Sequence, residues 1–239
     1  MMRLADLTHV HIYADPDNFC AEPSLANLGG GEIVAVFIQN RGLSHTDTGA
    51  VLLMRSRDHG RTWDPGQKVV VMPMEEDAGY NTAAIARLRD GTLLVHANRW
   101  RYLDSGEIDW WRGTSHNEGV YLTRSTDQGH TWSPPERVNM TPMRHAWVRD
   151  AILELANGAL LMPLNGHMLQ PCMPEIPSAE KERSFVLCST DRGRHWDYWG
   201  TVAFDAASII HYQEPGLVQF PDGRILALVR TQRWPRQAG

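Results

Sequence analysis

Residues 56–63 read SRDHGRTW, residues 125–132 read STDQGHTW and residues 189–196 read STDRGRHW. The second and third copies of this Ser-x-Asp-x-Gly-x-x-Trp pattern start 69 and 64 residues after the one before. A spacing of this kind marks a repeat architecture, with one supersecondary unit per copy. Each residue type has a structural job in such a unit. The Asp carboxylate accepts hydrogen bonds from turn amides, the Gly permits positive φ, and the Trp packs into the core beside the turn. Asp58, Asp127 and Asp191 therefore read as fold residues, because a catalytic acid is not needed three times. The third copy carries His195 where the others carry Thr62 and Thr131, so a weaker turn is expected there.

A second element recurs between the octapeptides. It reads AAIARLRDGTLLVHANR (83–99), AILELANGALLMPLNG (151–166) and GLVQFPDGRILALVRT (216–231), with a poorer copy at 23–39. Its turn glycines, Gly91, Gly158 and Gly223, keep nearly the same period, at 67 and 65 residues apart. The apolar runs on either side are β-like in length and pattern, and RDG, ANG and PDG supply hairpin turns. A further β-type run precedes each octapeptide, and another follows it in QKVVVM (67–72) and PERVNM (135–140). Each unit thus reads as four short antiparallel strands with the octapeptide between the third and fourth. No capped 3.6-residue apolar stripe is present, so helix content is expected to be small. Four-stranded units repeated around an axis make a β-propeller. The expected units are 20–75, 80–140, 148–205 and 212–239, the last only a hairpin, all within a single domain spanning 1–239.

Composition narrows the classes of function. The 239 residues carry a net charge of -5 with pI about 6.1, which gives no basic footprint for nucleic acid. No run approaches 18 apolar residues, so no membrane-spanning helix is read. The beginning of the chain lacks a basic segment followed by an apolar run, so no secretory signal is read and the expected setting is cytoplasmic or unknown. The three cysteines, Cys20, Cys172 and Cys188, are far apart and odd in number. They suggest neither a disulfide framework nor a zinc site. No metal and no cofactor are expected.

The octapeptide resembles the Asp-box, or BNR repeat, of the sialidase superfamily. The likeness covers nearly the whole chain and is close in YQEPGLVQFPDGRILALVRT (212–231). The resemblance implies a six-bladed β-propeller, of which this chain supplies about three and a half blades. It also implies an exo-acting glycoside hydrolase of a terminal acidic sugar, the carbohydrate being the partner. In this family arginine forks hold the substrate carboxylate, an Asp is the acid/base, and a Tyr activated by a Glu is the nucleophile. The resemblance assigns the acid/base role to Asp47 and the Tyr-partner role to Glu214, with Arg41 and Arg230 facing the substrate. The first family arginine falls on Ala21 in CAEP (20–23), a departure from the pattern. A carbohydrate-active or glycan-binding propeller without sialidase activity is the alternative, as is an inactive fragment.

Arg149 and Asp150 are read as beginning the inner strand of the third unit and lining the same central pocket. Asn81 and Thr82 hold the equivalent place in the second unit. Tyr102, Trp110 and Trp111 lie on or in an insert that could wall the pocket and stack on sugar faces. A half-built last unit would leave a strand edge open, which makes self-association a further expectation.

Overall fold

A computed structural model of the chain describes residues 9–43, 49–102, 115–168, 182–207 and 209–233. It is all-β. The first unit contains β1 (Cys20–Gly29), β2 (Glu32–Asn40), β3 (Gly49–Ser56) and β4 (Val69–Met72), each antiparallel to the next. The second unit repeats this order with β5 (Ala78–Arg87), β6 (Leu93–Tyr102), β7 (Ser115–Ser125) and β8 (Glu136–Arg137). In the third unit the inner strand is broken into β9 (Met143–Val148) and β10 (Leu153–Glu154). Both pieces pair with β11 (Leu160–Met168), which is followed by β12 (Arg183–Ser189) and β13 (Asp197–Ala203). A final hairpin joins β14 (Ile210–Gln219) to β15 (Ile225–Arg233). Among the described residues the helical content is a single 3-10 turn at Pro65–Gln67, and no helix is long and apolar enough to cross a membrane.

The hairpin turns are copies of one another. Gly91, Gly158 and Gly223 each donate an N–H, at 2.9 Å, to the carbonyl three residues earlier. All three have φ between 87° and 90°, where a side chain would be strained.

Strand alternation explains why the apolar runs are continuous. Successive side chains point to opposite faces of a sheet, and both faces of the second unit are covered by neighbours. On β6, Leu93, Val95 and Ala97 pack with first-unit residues such as Val34, Val36 and Leu53. Leu94 points the other way, into a core shared with Leu160, Met162 and Leu187 of the third unit. His96 and Asn98, also fully buried, lie on that second face. Asn98 ties the units together there: its Nδ2 donates to Ala146 O at 2.5 Å, and its Oδ1 accepts from Val148 N at 2.7 Å. Asn165 repeats the device one unit later, accepting from Glu214 N at 3.1 Å.

The octapeptides close the end at which the third strands β3, β7 and β12 finish, with the hydrogen bonds their composition implies. In the first copy Asp58 Oδ1 accepts from Ser56 Oγ at 2.7 Å and from Thr62 N at 2.9 Å, and Oδ2 accepts from Thr62 Oγ1 at 2.7 Å. Gly60 N donates to Ser56 Oγ at 2.9 Å and Trp63 Nε1 to Gly60 O at 3.0 Å. The Thr62 hydroxyl and amide, with the Ser56 hydroxyl, hold the Asp58 carboxyl well below the usual range. Asp127 and its turn reproduce the set. In each copy two successive residues are left-handed: His59 with Gly60, Gln128 with Gly129, and Arg192 with Gly193.

Two expectations are corrected. The third turn is not depleted, because His195 Nδ1 meets Asp191 Oδ2 where Thr62 and Thr131 place a hydroxyl, and His195 N donates to Oδ1 at 2.9 Å. The imidazole nitrogen reaches as far as the Thr oxygen, so the carboxylate keeps its partners. The run 135–140 is barely a strand: Glu136 and Arg137 pair with β7, and Val138 N adds one bond to Val120 O at 2.8 Å. Pro134 and Pro135 bring no N–H to the ladder.

Candidate functional site

The antiparallel order puts the starts of the inner strands, the ends of the second strands and the starts of the third strands at one end of the molecule. At this end the inner strands lose register. In β1 the pairing slips between Ala21 and Ser24, leaving Glu22 and Pro23 out of the ladder. In β5 it slips between Tyr80 and Ala83, around Asn81 and Thr82. In β14 it slips between Gln213 and Gly216, around Glu214 and Pro215. In the third unit the break between β9 and β10 contains Arg149 and Asp150. Proline explains the outer two, since it cannot donate to the ladder, and the residue before it turns outward as a bulge. Glu22 and Glu214 have φ of 58° and 52°, left-handed values rare for a residue with a long side chain.

These breaks bring charged groups from three units together. Arg149 Nη1 lies 3.0 Å from Glu22 Oε2, and Arg149 Nε lies 3.4 Å from Glu214 Oε1. Arg230 Nη1 donates to the same Glu214 Oε1 at 2.6 Å, and its Nη2 to Gln232 Oε1 at 3.3 Å. Arg149, Glu22 and Glu214 are partly enclosed, whereas Arg230 is exposed. The result is a chain of alternating charge, Glu22–Arg149–Glu214–Arg230, in which each guanidinium still has donors to offer. Asp150 turns away from it: Oδ1 accepts from Ala151 N at 2.8 Å, and Oδ2 sits where a Cβ on Gly216 would come within 2.8 Å. A side chain at Gly216 would therefore push the Asp150 carboxylate aside.

Glu214 is braced from behind. Glu182, 6% exposed, accepts from Asn165 Nδ2 at 2.6 Å and from Gln213 Nε2 at 2.7 Å, and faces His211 Nδ1 at 2.9 Å. Asn165 in turn receives the Glu214 amide. The polar groups at the start of β14 are thus fixed to the third unit.

A second charged group lies at the same end, on the first and second units. Buried Arg99 donates to Glu75 Oε2 at 2.8 Å and to Glu118 Oε2 at 2.6 Å, with the Tyr80 and Tyr121 rings beside it. Burial opposes its charge, but the Glu75 and Glu118 hydrogen bonds outweigh that and push its pKa up. Arg101 extends the group to Glu118 Oε1 at 2.7 Å and to Asp77. Arg41 belongs here: exposed, it reaches the Glu75 carbonyl at 3.5 Å. Around the inner strand of the third unit, Trp147 lies between the rings of Trp100 and His167, at 6.4 Å and 5.4 Å. Burial, then the charges of His145 and His211, push His167 down to about 3.

The structure thus brings together Arg149, Glu214 and Arg230, places Arg41 in the neighbouring group and directs Asp150 onto the backbone. Asp47, Trp110 and Trp111 lie outside the described residues. Arg149 and Asp150 do not begin their strand, as expected, but interrupt it. The preceding stretch MRHAWV (143–148) already pairs with β11, and its alternation is masked by Arg144 and His145. Glu22, Arg99, Glu118 and Glu182 were not singled out from sequence. The signal for Glu22 was present, since Glu22-Pro23 and Glu214-Pro215 are the same dipeptide at the same place in two units. Among the described residues no group of three or more His, Cys, Asp or Glu could hold a metal ion.

Comparison with known proteins adds family and fold. The profile of the BNR repeat-like domain matches residues 81–238. A sialidase of Bacteroides fragilis (strain YCH46) is 23% identical over 202 residues, which is 77% of this chain and 36% of that protein. A protein of unknown function from Dyadobacter fermentans DSM 18053 superposes with a TM-score of 0.75 at 24% identity, covering 92% of this chain and 64% of that one. The intramolecular trans-sialidase of Ruminococcus gnavus, solved with oseltamivir carboxylate, superposes with a TM-score of 0.67 at 15% identity, covering 92% and 68%. The chain spans about a third of the curated relative's length. At these identities the structural likenesses establish the fold alone.

Proposed function

The chain belongs to the BNR repeat-like domain family, and from that premise we propose that it forms part of an exo-acting glycoside hydrolase acting on a terminal acidic sugar. Its units are blades of a six-bladed, sialidase-like β-propeller, its octapeptides are Asp-boxes, and its substrate meets the end where the inner strands begin. One observation supports this above the rest: inner-strand breaks in three units converge on Glu22, Arg149 and Glu214, with Arg230 on the paired strand.

In this reading Arg230 takes the sugar carboxylate, since it is exposed and a guanidinium fork matches a carboxylate bidentately. Arg149 and Arg41 face the other polar arms. Asp47 protonates the glycosidic oxygen as the bond breaks, and later takes a proton from the incoming water. Glu214 is the base partner of a Tyr nucleophile supplied by blades beyond the three and a half of this chain. Its carboxylate is suited to that role because Arg149 and Arg230 orient it and the Asn165–Glu182 brace holds its backbone.

The test is turnover of 4-methylumbelliferyl glycosides by the protein with its remaining blades. Cleavage of the sialoside or glucuronide, lost in Glu214→Gln, agrees with the proposal. Cleavage of neutral glycosides alone, or turnover unchanged in Glu214→Gln, refutes it.

A further inference from the structure

Glu22 calls for an explanation beyond the strand break. A non-glycine residue at φ 58° is strained, and the Pro that follows adds its own restriction. Such strain persists where surrounding contacts enforce it. Glu214 shows the same strain at the same place in the fourth unit. The two carboxylates lie on different nitrogens of one guanidinium, Glu22 on Arg149 Nη1 and Glu214 on Nε. The two edges of the Arg149 fork are therefore each in use. A substrate carboxylate can grip Arg149 bidentately only after one of the two glutamates leaves.

Glu22 is the one that can be exchanged without disturbing the Glu214–Arg230 pair. Glu214 is also held by Arg230 at 2.6 Å, and its amide is fixed to Asn165. The Glu22–Arg149 pair is partly exposed, at 32% and 25%, and a pair of that kind contributes little by itself. Charge points the same way. Glu22, Glu214, Arg149 and Arg230 sum to zero, so the cluster as it stands offers no excess positive charge to an acid. Ala21, beside Glu22, adds none.

We infer that Glu22 is a specificity-determining residue: it is an internal carboxylate that occupies Arg149 and leaves Arg230 as the acid-binding arginine of this cluster. Arg149 and Glu22 then recognise hydroxyl groups of the sugar rather than its acid group. The inference deepens the proposed function and rests on it for the sugar, but not for the carboxylate.

The experiment compares wild type with Glu22→Gln by isothermal titration. The probes are 2-deoxy-2,3-dehydro-N-acetylneuraminic acid, its methyl ester, and benzoate as a simple carboxylate. Freeing one edge of Arg149 and making the cluster net positive should tighten binding of both carboxylates about tenfold or more, the worth of a charged hydrogen bond. The uncharged ester should show no such gain. A gain for benzoate with no sugar binding in either protein upholds the role of Glu22 and removes the acidic-sugar reading. Carboxylate binding by folded Glu22→Gln that is unchanged or weaker overturns the inference, whatever the sugars do. If Glu22→Gln does not fold, Glu22→Asn carries the same expectation, since Asn tolerates left-handed φ better.

Discussion

The octapeptide tryptophans provide three near-identical positions with different surroundings. Each indole donates Nε1–H to the octapeptide glycine carbonyl, at 3.0 Å for Trp63, 3.2 Å for Trp132 and 3.1 Å for Trp196. The hydrogen-bond contribution is thus shared, about 0.5–1.5 kcal/mol each. Burial is not shared. Trp196 is 3% exposed and belongs to the core between the second and third units, whereas Trp63 and Trp132 are only partly buried at the margins of theirs. Gly193 makes room for it: a Cβ there would sit 3.3 Å from the indole. Trp196→Ala should therefore cost about 3–5 kcal/mol, the range for a large buried aromatic. Trp63→Ala and Trp132→Ala should cost about half of that. The three Trp→Phe variants, which lose the N–H but keep most of the ring, should differ less from one another. Urea unfolding followed by circular dichroism measures all six. Equal costs across the three alanine variants, or loss of turnover without loss of stability, would refute the view of the octapeptide as scaffold graded by burial.

Other outcomes follow from the same geometry. His96 is fully buried, with the backbone of Asp150 and Ala84 beside it, and burial pushes its pKa from 6.5 down to about 4. The unfolded chain binds this proton below pH 6.5 and the folded chain does not until about pH 4, so stability should fall as pH drops through that window. The loss should approach about 3 kcal/mol for this group, and His96→Met should make that part of a urea-midpoint profile shallower, the remaining slope coming from His167. Asp47→Asn should lower the rate about 10²–10⁴-fold on a substrate with a poor leaving group and much less on an activated aryl glycoside; equal losses on both would exclude an acid role. The β15 hairpin exposes Val218, Phe220, Ile225, Leu226 and Leu228, so the 239-residue chain should self-associate through that face and strand edge. Leu228→Lys should reduce the association in sedimentation velocity, and a wild-type monomer at all concentrations would contradict it.

Much of this architecture was legible in the sequence because it rests on local chemistry. The turn glycines, the Ser–Asp–Thr hydrogen bonds and the apolar runs are each determined within a dozen residues, and repetition confirmed the pattern. The site was legible only in pieces. Glu214 and Arg230 lie on one hairpin, so their pairing across the ladder could be expected. Arg149 meets Glu22 across 127 positions of chain, and that contact depends on the way three units converge. The slip in register that places Glu22 arises from a missing proline amide opposite a regular strand, and Arg149 sits in a strand break without a proline, neither of which periodicity reveals. The brace on Glu214 was hidden for the same reason, since Glu182 and His211 come from different units.

The account stands or falls on where an acidic sugar binds. A crystal structure of the protein soaked with 2-deoxy-2,3-dehydro-N-acetylneuraminic acid gives the most direct answer. The account predicts the sugar at the end where the inner strands begin, with its carboxylate on Arg230 and its hydroxyls toward Arg149 and Glu22. Density against the octapeptide turns, or on the Arg99–Glu118 group with the Arg149 cluster left undisturbed, would contradict it.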